Sequence, residues 1–293
     1  MRISDSYVFG SLNKHLTRVK GELAQAQERA SSGLRVGKPS DDPVAYAAAR
    51  REHAKKTLAE AGMKGADLAL TQMAGADEAL SMATDGLARA KELALAGASD
   101  TLGAEQRQNL AEEVRKIREQ MVVLGNTQVA GSYVFAGRRD DRPPFDNAGA
   151  FTGDTDVKEV SAFPGVSVSG SISGQDAFGV AGNGDVFSSL DALITALESN
   201  DATAVRNALP DVDVSERRLL STRSRLGSMM DGVETARSVA DRYSFSAEVE
   251  AGRLLEVDEV DAVGDLLKAK NAMEVALATA QQIPTAGLIK QRG

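Results

Sequence analysis

Residues 73–94 read MAGADEALSMATDGLARAKELA, and in them Met73, Ala76, Leu80, Ala83, Leu87, Ala90 and Ala94 recur at alternating intervals of three and four. That spacing keeps an apolar seam on one side of a helix and suits it to long side-by-side packing. Outward from this stretch the rhythm returns. Leu12, Leu16, Val19, Leu23, Ala26 and Ala30 carry it near the start, and Leu110, Val114, Ile117, Met121 and Leu124 soon after the central seam. Leu226, Met229, Val233, Ala236, Ala240 and Tyr243 follow, then Leu266, Ala269, Met273, Ala276, Ala280 and Ile283. One such helix fits any amphipathic bundle. Five, with alanine at many seam positions, predict a mostly α chain: a long antiparallel helical bundle or coiled-coil rod drawn from both chain ends.

Composition divides the chain. Seven of the twelve aromatics lie between Tyr133 and Phe187, and ten of the 27 glycines between Gly131 and Gly184. The flanks are rich in Ala, Leu, Glu, Gln, Arg and Lys, the strong helix formers. The expected organisation is therefore terminal arms at 1–40 and 255–293, a helical rod at 41–130 and 188–254, and a small β-rich insert at 131–187. Within the insert, Ser132–Phe135 and Val166–Ser169 read as short strands, with Ile172 extending the second pattern. Pro143-Pro144 stops any ladder there.

Local signals punctuate the helices. Gly33, after Ser31-Ser32, suits the left-handed closing position of the first helix. Asp42 before Pro43 is an N-cap followed by proline at the first helical position. Asp100 and Thr101 are candidate caps for a helix over 104–128, and Asp185 or Ser188 for the short helix through Leu190, Leu193 and Leu197, which Ser199-Asn200-Asp201 breaks. Gly62, Gly65, Gly75 and Gly86 each cost a helix about 1 kcal/mol relative to alanine, so the second helix must draw its stability from neighbours.

The 293 residues, 42% hydrophobic and 26% charged, suffice for one or two domains with a real core. A net charge of −8 argues against nucleic acid or anionic membrane as partner, since both call for clustered Lys and Arg. With no cysteine there are no disulfides, thiol nucleophiles or thiolate metal sites, and two histidines, His15 and His53, do not make a metal centre. No run approaches the roughly 20 apolar residues of a bilayer span. Met1–Gly10 lacks the basic-then-apolar pattern of a secretory signal, so export would need another route. Asp41 and Asp42 read as capping groups rather than an acid–base pair. Gly182–Asp185 is too short for a calcium loop, and neither a phosphate-binding loop, a dinucleotide fingerprint nor a nucleophile elbow is present. The reading is of no enzyme, with no catalytic residue, cofactor or metal.

The arms carry few large aliphatics. Burying Leu12, Leu16, Val19 and Leu23 is worth about 1.5–3 kcal/mol each, against the backbone entropy of a whole ordered helix, and alanine adds little area. The two terminal seams are expected to pair, and the pair to become well ordered only when other subunits cover it.

Met1-Arg2-Ile3-Ser4 and the loop from Ala30 to Ala45, with Lys38-Pro39-Ser40-Asp41-Asp42-Pro43 at its heart, resemble the flagellin superfamily, in its hook-associated protein 3 branch more than in flagellin proper. A second stretch agrees: Thr101–Leu110, then Leu124-Gly125-Asn126-Thr127, Gly131–Gly137 and Pro143-Pro144-Phe145. The Leu266–Ile283 seam is similar to the family's carboxy-terminal helix, while the tail 284–293 departs from it. The resemblance implies a structural protein of the bacterial flagellum, secreted through the flagellar type III apparatus to an extracellular junction layer between hook and filament. It implies a ring of identical subunits whose terminal helices line the axial core. Its implied partners are the other hook–filament junction protein, flagellin and an export chaperone. A short flagellin that builds the filament itself is the alternative, and a ligand or catalytic domain in the insert a remoter one. The residues expected to make assembly contacts are Leu12, Leu16, Val19, Leu23, Leu266, Met273, Leu277 and Ile283. Ser40, Asp41, Asp42 and Pro43 are expected to form a hinge loop between arm and rod.

Overall fold

The computed structural model describes residues 2–163, 165–179 and 185–289, and of 2–6, 8–9, 162–163 and 282–289 the backbone only. The protein is mostly α. Long helices α1 (Arg2–Ser32), α2 (Pro43–Gly97) and α3 (Ala104–Gly125) lead into β1 (Gln128–Val129), β2 (Ser132–Tyr133), β3 (Glu159–Phe163) and β4 (Val166–Ser169). The short helices α4 (Gly174–Phe178) and α5 (Val186–Glu198) return the chain to α6 (Ala202–Leu255) and α7 (Glu259–Ile289). The strands form two antiparallel pairs, β1 with β2 and β3 with β4.

Contacts group the chain into two units, Thr57–Ser244 and Met1–Lys56 with Phe245–Gly293, where composition suggested three parts. The difference has a physical cause. Phe135, Phe145, Phe178 and Phe187 of the glycine-rich stretch share one continuous core with Leu80, Leu87, Leu190 and Leu226 of the helices.

In the unit 57–244 the opening seam is fully used: Met73, Ala76, Leu80, Ala83, Leu87, Ala90 and Ala94 are all buried. Val114, Ile117 and Met121 of α3, the α5 leucines 190, 193 and 197, and Leu226 and Val233 of α6 pack in the same core. α2 and α6 run antiparallel, with Asp67 facing Arg237, Asp77 facing Arg223 through two bonds of 3.0 and 3.2 Å, and Lys91 facing Asp213. These half-exposed pairs fix register more than they stabilise, since exposed pairs contribute about 0–1 kcal/mol. α3 begins without the expected side-chain cap. Gly103 occupies the N-cap position, Asp100 instead pairs with Arg206 at 3.2 Å, and Thr101 bonds to Ser99. α3 also ends at Gly125, three residues early, because Asn126 is committed elsewhere.

That commitment explains a motif. The Asn126 amide donates to the Phe145 carbonyl and accepts from the Phe145 amide, both at 2.9 Å. Thr127 Oγ1 bonds back to the Leu124 carbonyl at 2.8 Å. The Phe145 ring lies against Gly125, where an added Cβ would stand 2.6 Å from it, and against the rings of Phe151, Phe178 and Phe187 at 5.2–5.4 Å between centroids. Phe135 meets Phe178 edge-on at 5.4 Å. Of the expected strand 132–135 only Ser132–Tyr133 pairs, because Val134 and Phe135 turn into this core, as does Ile172. Of the two candidate caps for α5, Asp185 and Ser188, it is Asp185 that serves, accepting from the amides of Phe187 and Ser188.

Candidate assembly interface

The terminal unit is built from α1, α7, the start of α2 and the end of α6. α1 and α7 are antiparallel: Leu12 shares a groove wall with Ala276, and Ala26 with Ala262 and Ala269. Their inner ends are joined by main chain. Arg35 and Val36 donate to the Leu255 carbonyl at 2.7 and 3.1 Å, and Val257 donates to that of Gly33 at 3.0 Å. Gly33, at φ +70°, ends α1 in the left-handed conformation that its position called for.

The 40–43 segment is stitched at several points. Asp42 Oδ1 accepts from the amides of Val44 and Ala45 at 3.2 and 3.0 Å and so caps α2, with Pro43 as its first residue. The Ala45 amide, aided by the Arg35 guanidinium, holds the Asp42 carboxyl below the usual carboxylate range. Asp41 Oδ2 accepts from the amides of Gly37 and Lys38, both at 3.1 Å. Both carboxylates are thus occupied with backbone. Among the described residues, no three His, Cys, Asp or Glu side chains gather where they could hold a metal ion, and no helix is long and apolar enough to cross a membrane.

The expected contact residues fall into distinct classes. Val19 is fully buried, together with Ala26, Ala262 and Ala276, whose small side chains set the close approach of the two helices. Leu12, Leu16, Leu23, Leu266 and Met273 are half-buried along the seam. Leu277 is exposed and stands off it. The Ile283 side chain lies outside the described residues.

A further set was not anticipated. Val260, Val263 and Leu267 are 81%, 53% and 56% exposed, and at about 100° per residue they form a ridge roughly 130° round α7 from its seam. Their own spacing of three and four was the available signal. Val275, 66% exposed, edges a separate groove on another flank. Val260, Val263 and Leu267 thus form a contiguous apolar strip on α7, the kind of exposed patch that is a candidate interaction surface.

Residues 3–140 match the bacterial flagellin N-terminal helical region. Over that stretch the chain is similar to the flagellin superfamily. It is also similar to the flagellar hook-associated protein 3 of Salmonella typhimurium, with 26% identity covering 95% of this chain and 96% of the relative. Flagellin A of Vibrio cholerae is 29% identical, but over 43% of this chain and 32% of that protein. The fold is shared with a solved flagellar hook-associated protein from Vibrio parahaemolyticus, at a TM-score of 0.66 and 19% identity, covering 74% of this chain and 100% of that one. The flagellar junction protein of Legionella pneumophila superposes with a TM-score of 0.57 at 16% identity, over 71% of this chain and 100% of the other.

Proposed function

We propose that this chain is a structural protein of the bacterial flagellum that forms the junction layer between hook and filament through self-assembly of its terminal helices. The observation that carries the reading is α7, whose seam is matched by α1 while Val260, Val263 and Leu267 stay uncovered on another face. A helix apolar on two faces needs two partners, and the folded chain supplies one. End-to-end similarity to a hook-associated protein, against partial similarity to flagellins, supports a junction layer over a filament subunit. In this reading Leu12, Leu16, Val19 and Leu23 with Leu266, Met273, Leu277 and Ile283 make the assembly core, and no catalysis is involved. Ser40–Pro43 serves as the hinge, bending only when the Asp41 and Asp42 bonds release. The site of action is extracellular, reached by signal-independent export with a chaperone, and the neighbours are the other junction protein and flagellin.

The test is electron microscopy of a strain lacking the gene. Hooks without filaments, with flagellin released into the medium, are expected. Normal filaments on that strain would overturn the proposal.

A further inference from the structure

We infer that Arg107 is a clasp: its buried side chain makes the α2–α3 turn and the α5–α6 turn one conformational unit, so that this end of the unit 57–244 opens as a whole. Arg107 is 4% exposed, the only Lys or Arg buried among the described residues. A charge taken out of water is costly unless something answers it, and here no carboxylate does. Of the acids near this end, Asp100 pairs with Arg206 and Glu198 with Arg115. Asp201 Oδ1 accepts from the amides of Thr203 and Ala204 and so starts α6.

The guanidinium is met by carbonyl oxygens instead. Its Nε donates to the Gly97 carbonyl at 2.9 Å, its Nη2 to that of Ser99 at 2.7 Å, and its Nη1 to Asn200 Oδ1. Gly97 is the last residue of α2, and Asn200 stands two residues past the end of α5. The two helix ends touch, since a Cβ added at Gly97 would collide with Leu197. Each helix C-terminus carries about half a negative charge, so the pair supplies roughly the one counter-charge that Arg107 lacks. A planar fork reaches three acceptors on two turns at once, which the single ammonium of a lysine does not. Arg206 makes a further link, from Nη1 to the Ala98 carbonyl at 2.8 Å, but its side chain is half-exposed, where water competes for such bonds. For the proposed junction subunit, a use that rests on the reading above, the clasp gives an end that cannot be pried apart one turn at a time. The clasp itself is tested on purified protein.

The experiment is hydrogen exchange on the full chain, following the Ser99 and Leu102 amides, which are bonded within the first turn, and those of Ser199 and Asn200 in the second. In the unsubstituted protein the two sets are expected to open together, at rates within about threefold of each other. Asn200 lies at φ +55° and is exposed, so Asn200→Gly keeps the backbone unstrained and deletes only the acceptor. It should speed Ser99 and Leu102 about tenfold, although the substitution is in the other turn, and leave the amides of 73–94 unchanged. Arg107→Lys should do the same while keeping the charge, and Arg206→Met should speed them by less than about threefold. Acceleration confined to 199–204 in Asn200→Gly would overturn the inference. So would unaltered rates in Arg107→Lys, or a larger effect from Arg206→Met than from Arg107→Lys. Asn200→Gly decides alone if Arg107→Lys yields no folded protein.

Discussion

At the residue scale, glycines in the long helices have different justifications, and substitution separates them. Gly125 closes α3 where the buried Phe145 ring needs its space: an added Cβ would lie 2.6, 2.9 and 3.4 Å from three ring atoms. That ring is held by three other phenylalanines and by both bonds of Asn126, so it has nowhere to go. Gly86 of α2 faces the end of Met121, Cε at 2.6 Å, and a thioether chain can swing aside. Gly125→Ala is therefore expected to destabilise by about 1–3 kcal/mol, the usual cost of overpacking. Gly86→Ala should range from neutral to about 1 kcal/mol more stable, since helix propensity then outweighs a soft clash. Denaturant midpoints of the two variants decide it, and equal shifts of the same sign would sink the distinction. The sequence marked Gly86 as a helix weakness and Gly125 only as part of a family motif. The Phe145 contact has no period, and a steric requirement between residues twenty apart leaves no local trace.

At the element scale, legibility tracked periodicity. The 73–94 seam is buried residue for residue because a helix packed on one side has one dominant repeat, and Gly33, Asp42 and Asp185 act as their chemistry indicates. α7 was read only in part, because an apolar seam and an apolar ridge on the same helix overlay two repeats and the stronger hides the other. The α3 start was misread because Asp100 found an arginine across the fold, a non-local partner that outcompetes capping. On α1, Leu16 is half-buried along the seam with α7. Leu16→Glu places a charge in that seam, inside the terminal unit. The 57–244 unit is expected to keep its helicity and melting temperature, while incorporation into the junction is lost. Circular dichroism of the purified variant with immunoblotting of isolated flagella checks both. Loss of most helicity would mean that α1 belongs to the main core.

At the scale of the whole molecule, the two units differ in what holds them. Among the described residues, the largest fully buried side chains are Phe135, Phe178, Met73, Leu80, Leu87, Met121, Ile172, Leu190, Leu193, Leu197, Leu219 and Leu226, and every one lies in 57–244. The terminal unit buries Val19 and Val36 together with alanines 26, 45, 49, 247, 251, 262 and 276. A buried alanine returns little apolar area against backbone entropy of about 1–2 kcal/mol per ordered residue, so this unit depends on cover from outside the chain. Local stability follows that division, because amide exchange reports the free energy of each cooperative unit separately. In dilute monomer, amides of 7–35 and 262–281 should exchange at least a hundredfold faster than those of 73–94, about 2.8 kcal/mol or more in opening free energy at 1.4 kcal/mol per tenfold. Assembly should erase most of that difference, since burying the 260–267 ridge adds the missing area. Uniform protection along the isolated chain would show instead that alanine packing alone sustains the terminal pair, and the case for neighbours as its necessary cover would be lost.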